Sequence, residues 1–258
     1  MKFGISNIGW NDPFDAEILT AIYASGARGI EVAPTKFFPG WGGISEQTIS
    51  EKKKQIEGFG LCIPSMQSLF YGVEGLQSIF QSSEILLNHL KIVASMGEQL
   101  RAKVLVFGSP KLRIKDGEES RLLEIFKRAG DICKTHNIKL GIEPNPSEYG
   151  AQFWHSHSEV QTFVRKLNHP SVVLHMDAGA LHMTHYELDF DPAPVHFHLS
   201  SPMLGRVTLD SIDHDKVKQQ LQKLSYQGWH MVEMLPQSDG LIAIKEALSV
   251  FKQKYDKA

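Results

Sequence analysis

Residues 103–143 read KVLVFGSPKLRIKDGEESRLLEIFKRAGDICKTHNIKLGIE. The stretch opens and closes on short apolar runs, Lys103–Gly108 and Lys139–Glu143, of the length and composition of buried strands. Between them Glu118–His136 follows a helical pattern. A strand, a helix and a second strand in that order predict a parallel pair joined by a helical crossover.

The same unit recurs along the whole chain. Strands are predicted at Lys2–Ser6, Gly29–Ala33, Cys62–Gln67, Val172–Asp177, Val195–Leu199 and His230–Met234 as well. Helices are predicted at Phe14–Ser25, Ser45–Phe59, Glu84–Met96, Ser158–Leu167, Asp213–Leu224 and Ile242–Tyr255, with at most a brief helix in Ala178–Pro194. Eight such units in 258 residues come to roughly 32 residues each. That predicts an α/β protein of the (β/α)8 TIM barrel type, a single domain over residues 1–258. An open doubly wound sheet would want a glycine fingerprint after the first strand, and Gly4-Ile5-Ser6-Asn7-Ile8-Gly9 is a poor substitute.

Composition narrows the function classes. Lys plus Arg is 27 against 29 Asp plus Glu, a formal net charge of -2, which lacks the basic surplus of a dedicated nucleic-acid binder. Apolar runs near the amino terminus are broken by Gly4, Ser6, Asn7 and Gly9, so no signal peptide is predicted, and no apolar window is long enough to span a membrane. Cys62 and Cys133 form no CxxC pair and predict reduced thiols in a cytoplasmic protein.

In a barrel of this kind the chemistry sits at the carboxyl ends of the strands. Strand five ends in Glu143, strand six in Asp177 and strand eight in Glu233, while strand seven carries His198; the separations are 34, 21 and 35 residues, close to one unit each. Three carboxylates converging on one mouth would repel and need a cation between them. One imidazole with three carboxylates is an oxygen-rich set that favours Mn2+, Mg2+ or Co2+, with Zn2+ also accommodated. His175 and His196 share strand parity with Asp177 and His198 and are read as interior histidines. His155, His157, His169, His214 and His230 are read as surface residues.

These residues resemble the xylose isomerase-like TIM barrels, which include sugar-phosphate isomerases, ketose 3-epimerases, hydroxypyruvate isomerases and inosose dehydratases. The matching phrases are GIEV at 29–32, GIEPNP at 141–146, LHMDAG at 174–179, VHFHL at 195–199 and GWHMVEM at 228–234. The resemblance implies that Glu143, Asp177, His198 and Glu233 hold one divalent metal ion. It implies that Glu143 and Glu233 face opposite sides of a bound sugar as acid and base, in an isomerase or epimerase working through an enediolate. An inosose-type dehydratase on the same metal site, or a non-catalytic sugar-binding barrel, are the alternatives. A hydrolase similar to endonuclease IV would require more strand-end histidines and a basic face.

The expected partner is a small carbohydrate, with no nucleic acid and no membrane, and family relatives are often dimers or tetramers. Substrate contacts are expected from Glu31 and Gln67 at strand ends, from Trp10 and Phe107 in an aromatic rim that also includes Phe37, Phe38, Trp41 and Phe70, and from Arg206. The loop Lys36–Trp41 reads as a lid. Lys111 and Arg113 read as a solvated charged loop with some capacity to hold an anion. The chain departs from its relatives at Ala180, where sugar epimerases of the family usually carry a histidine; His182 is the nearest replacement.

Overall fold

The computed structural model describes residues 2–186 and 190–256. Its eight parallel strands are β1 (Lys2–Ser6), β2 (Gly29–Glu31), β3 (Ser65–Met66), β4 (Val104–Phe107), β5 (Lys139–Ile142), β6 (Val172–Asp177), β7 (His196–Ser200) and β8 (Trp229–Glu233). They run in the spatial order β2-β1-β8-β7-β6-β5-β4-β3. Two single bridges, Gly29 to Cys62 and Val32 to Met66, join the ends of that order and close the barrel. The fold is therefore the TIM barrel that the alternating pattern predicts.

The intervening helices are α1 (Ala16–Ala24), α2 (Pro34–Phe37), α3 (Glu46–Gly58), α4 (Ser83–Leu100), α5 (Glu119–Thr135), α6 (His157–Leu167), α7 (Ala178–Met183), α8 (His214–Lys223) and α9 (Leu241–Lys254). Side chains cap several of their amino ends. Asp15 accepts from the amides of Glu17 and Ile18, Ser45 and Thr48 form a capping box, and Ser156 and Asp213 cap α6 and α8. Of the expected brief helix in Ala178–Pro194 the structure shows α7, and residues 187–189 lie outside the described residues.

Helices and strands share one apolar core that runs from Phe3 and Ile5 on β1 to Phe251 and Tyr255 at the end of α9. Among the described residues no helix is long and apolar enough to cross a membrane. Cys62 is exposed, Cys133 is buried, and both are free thiols.

Several boundaries differ from expectation by a residue or more, and two of the larger differences have local reasons. The third strand shrinks from Cys62–Gln67 to Ser65–Met66, because Pro64 has no N–H to give a ladder. Helix α4 runs past Met96 to Leu100, because Gly97 is packed against Ile138 and Leu105 rather than ending the helix. The turn comes at Arg101, which takes a left-handed conformation at φ 67°.

Candidate active site

The strand register decides the site. Asp177 on β6 pairs with His198 on β7, and Ser200 on β7 pairs with Glu233 on β8. Glu143 directly follows β5. The structure thus brings Glu143, Asp177, His198 and Glu233 to one mouth, each buried, with a donor atom from each lying within 4.8 Å of the others. Three buried carboxylates and one imidazole at this separation suit a single divalent ion, both in charge and in donor hardness.

Each member of the quartet is held by neighbours. Asp177 accepts from the amide of Ala180 at 2.6 Å and from the hydroxyl of Ser200 at 2.5 Å. Its own amide donates to Nε2 of His157 at 3.1 Å. Nδ1 of His198 lies 2.9 Å from Oε1 of Glu143 and 3.1 Å from Oε2 of Glu233. Oε1 of Glu143 also lies 3.3 Å from Nε2 of His175. The Glu143 carbonyl accepts from the guanidinium of Arg113 at 2.6 Å. The backbone of Gly108 approaches the Glu143 carboxylate so closely that a Cβ there would stand 2.6 Å from Oε2.

The electrostatics are those of like charges crowded in a dry site. Burial and then the carboxylates of Glu143 and Glu233 push Asp177 up to about 7. Burial also raises Glu233. Glu143 goes the other way: although burial opposes ionisation, His175 and His198 hold it below the ordinary carboxylate range. His198 is raised well above its ordinary value, since Glu31, Glu233 and Glu143 together outweigh its burial. In the metal-free protein the His198 imidazolium is therefore the counter-ion of the quartet.

A cavity of about 170 Å³ opens over these groups. Its wall includes Glu143, Asp177 and Glu233 with Gln67, Ser109, Asn145, Tyr149 and Leu204. Oδ1 of Asn145 is buried without a partner among the described residues, an acceptor available to a ligand hydroxyl. Ser68, Ser109 and Leu204 line the cavity in left-handed conformations, at φ 53°, 30° and 52°. Strain of this kind in non-glycine residues collects at binding sites.

Other expected contacts fall elsewhere. Gln67 does line the cavity, and its Nε2 donates to Ser6 at 2.5 Å. Glu31 is fully buried beneath the quartet, where its oxygens meet His198 and His196, so it does not face a substrate. Trp10 and Phe107 are packed in the core, Phe107 edge-on to Phe70 and Phe126 at 5.4 and 5.3 Å. None of the six expected rim aromatics is on the cavity wall. His182 is turned outward and pairs with the Tyr186 hydroxyl at 2.9 Å. Arg206 is bound to Asp239 and Glu246 at 2.6 Å each, away from the wall.

The burial of several polar residues also corrects their expected positions. Arg113 is wholly buried, and His157, His214 and His230 are each 2% exposed. His157 supports Asp177, His214 bonds the Tyr255 hydroxyl at 2.9 Å, and His230 packs against Phe197 and Phe251. The sequence reasoning missed Asn145 and Tyr149. Their signal was present in GIEPNPSEYG, a proline-bracketed loop leaving the strand that carries Glu143.

Comparison with known proteins agrees with the fold. No curated protein matches the chain by sequence. A D-psicose 3-epimerase structure determined in the presence of D-fructose superposes with TM-score 0.78 at 16% identity, covering 98% of this chain and 99% of that one. The 3-keto-D-glucoside 4-epimerase of E. coli gives 0.75 at 16% identity, over 98% and 99%. The IOLI protein with a bound zinc atom gives 0.71 at 14% identity, over 100% and 99%. The family description "xylose isomerase-like TIM barrel" matches residues 19–254. On that match, which runs from within α1 to the end of α9, the chain belongs to the xylose isomerase-like TIM barrel family.

Proposed function

We propose that this protein is a divalent-metal-dependent sugar isomerase or epimerase. The observation that carries the reading is the meeting of Glu143, Asp177, His198 and Glu233 within 4.8 Å at the floor of a small cavity. The named activities of the epimerases that share the fold support it. A divalent ion bound by the four side chains would supply Lewis acidity toward a ketose carbonyl and its neighbouring hydroxyl.

The chain's own residues would move the proton. One of Glu143 and Glu233 would take the proton from the carbon beside the carbonyl. The other would deliver a proton. Delivery to the opposite face of the same carbon inverts that centre, whereas delivery to the adjacent carbon exchanges ketose and aldose. Either way the product has the atoms of the substrate. Asn145, Tyr149 and Gln67 would orient the hydroxyls.

The wall favours an uncharged sugar over a phosphorylated one. Among the described residues it contains no lysine or arginine, Arg206 is occupied by Asp239 and Glu246, and Arg113 is sealed behind Glu143. The cavity is also below the ~300 Å³ typical of sites for larger ligands, in keeping with a monosaccharide.

The test is solvent deuterium incorporation into a panel of ketoses and inososes with metal supplied. Exchange in the wild type that disappears in Glu143→Gln and in Glu233→Gln is the expected result. Undiminished exchange in either variant refutes the assigned roles. Loss of water from the substrate would instead identify a lyase, and tight sugar binding with no exchange a non-catalytic barrel.

A further inference from the structure

Asp177 ends β6 and also caps the amino end of α7, where its Oδ1 accepts the Ala180 amide at 2.6 Å. A capping carboxylate has two amides within reach, those of the second and third helical residues. Asp15 on α1 takes both, from Glu17 at 2.9 Å and Ile18 at 3.0 Å. On α7 the second amide, that of buried Gly179, goes elsewhere. It donates to Oγ of Ser200 at 2.9 Å, and Ser200 donates in turn to Oδ2 of Asp177 at 2.5 Å. Ser200 lies 1% exposed on β7, paired with Glu233 in the ladder.

We infer that Ser200 is a positioning residue: by taking the Gly179 amide it keeps the Asp177 carboxylate from turning to cap α7 with both amides, and so leaves Asp177 turned toward the metal quartet. The inference rests on the metal reading of the quartet.

Asp177 has two duties, and they compete. The first turn of α7 offers N–H donors that a carboxylate satisfies well. Membership of the quartet needs the same carboxylate near Glu143, His198 and Glu233. The Asp177 backbone does not move between the two, because the ladder to β7 holds it and its amide is bound to His157 at 3.1 Å. Rotation of the side chain is what decides. Ser200 settles it through the polarity of one hydroxyl. Its oxygen receives the Gly179 proton, so its own single proton goes to Asp177, whose ionised carboxylate only accepts. Each oxygen of Asp177 then has one hydrogen bond and a lone pair to spare. The packing is built around this relay: a Cβ on Gly179 would stand 2.8 Å from Oγ of Ser200 and 3.0 Å from the Ser201 carbonyl oxygen.

The experiment reads metal affinity, stability and geometry rather than turnover. Mn2+ and Zn2+ affinities of wild type, Ser200→Ala and Ser200→Thr are measured by chelator competition, beside thermal melts of the metal-free proteins. Ser200→Ala should weaken both metals about tenfold. Its metal-free Tm should stay within about 2 °C of wild type, because Asp177 takes over the Gly179 amide. A crystal structure of the metal-free variant should show the Asp177 carboxylate accepting both amides. Ser200→Thr, which keeps the hydroxyl, should recover the affinity. Affinities of Ser200→Ala within about twofold of wild type overturn the inference. An Asp177 side chain that keeps its wild-type orientation in that variant overturns it as well. So does a Tm lower by more than about 5 °C, or a chain that does not fold, since the Gly179 amide would then have been left unpaired. A folded Ser200→Thr that binds as poorly as Ser200→Ala assigns the loss to packing and overturns it too. Metal binding indifferent to Ser200 defeats this inference alone, whereas a wild type that takes up no metal defeats it together with the metal reading.

Discussion

Replacing Arg113 by methionine tests how the mouth is kept rigid. The guanidinium is wholly buried and, among the described residues, has no carboxylate hydrogen-bonded to it. It donates instead to three carbonyls: Phe107 at 2.9 Å, Glu143 at 2.6 Å and Trp154 at 3.3 Å. Its carbon sits 5.7 and 5.4 Å from the Phe107 and Trp154 ring centroids. Burial lowers it to about 9, so it stays charged at neutral pH. The carbonyls are not equally dependent on it. Phe107 O also accepts from the Glu143 amide and Trp154 O from the Asn145 amide, whereas the Glu143 carbonyl has only the guanidinium among the described residues. Methionine fills much of the volume but leaves that carbonyl unpaired at a cost of ~1–3 kcal/mol, on top of charge-assisted bonds of ~1.5–3 kcal/mol each. Removing a costly buried charge offsets part of this. The expected net loss is ~2–4 kcal/mol, or ~5–15 °C in Tm for a chain of this size. Urea unfolding of metal-free Arg113→Met measures it, with Arg113→Lys recovering part. Because the freed carbonyl belongs to Glu143, Mn2+ affinity should fall as well. An unchanged midpoint together with unchanged affinity would refute the clamp.

Gly108→Ala should leave stability nearly intact while weakening metal binding about tenfold, because the new methyl displaces the flexible end of Glu143 rather than backbone; equal affinities by calorimetry would count against the close approach. Asp177 and His198 each make a contribution to metal-free stability that falls as pH rises. Asp177 is raised in the folded protein from 3.8 to about 7, so the folded state holds its proton through that window and loses the advantage as the proton leaves. The raised imidazolium of His198 contributes stability that is full below 6.5 and fades as pH climbs through its folded value. Metal must displace these protons, so the Tm gain from saturating Mn2+ should be larger at alkaline than at acidic pH, and binding should release at least one proton. Thermal melts with and without chelator across pH check this, and a gain independent of pH would contradict it.

The barrel was legible because eight strand-like runs alternate with helical ones, and the quartet because its members end successive strands one unit apart. What stayed hidden depends on contacts between distant segments. Arg113 lies in the charged run SPKLRIKDG, and only the arrival of Trp154 and Glu143 turns it into a buried clamp. His157 follows a helix cap and looks solvated until Asp177 comes to rest over it. Glu31 reads naturally as a strand-end charge, since no local pattern reveals that two histidines 165 and 167 positions away will enclose it. The rim aromatics were misjudged for a related reason: after short strands those large rings are claimed by the packing between strand and helix, which leaves the cavity wall to carboxylates, prolines, Gln67, Asn145 and Tyr149.

The junction of β2 with β3, held by four backbone hydrogen bonds over two separate bridges, is the seam at which the barrel closes. Quartet members all descend from β5 to β8, which are joined by an unbroken ladder on the far side. Breathing at the seam, visible as early amide exchange around Cys62 and Met66, would therefore widen or narrow the wall at Gln67 while the donor cage keeps its shape. On the proposed function, such a molecule would adapt to sugars of different outline on one flank while the four donors on the other stayed in place.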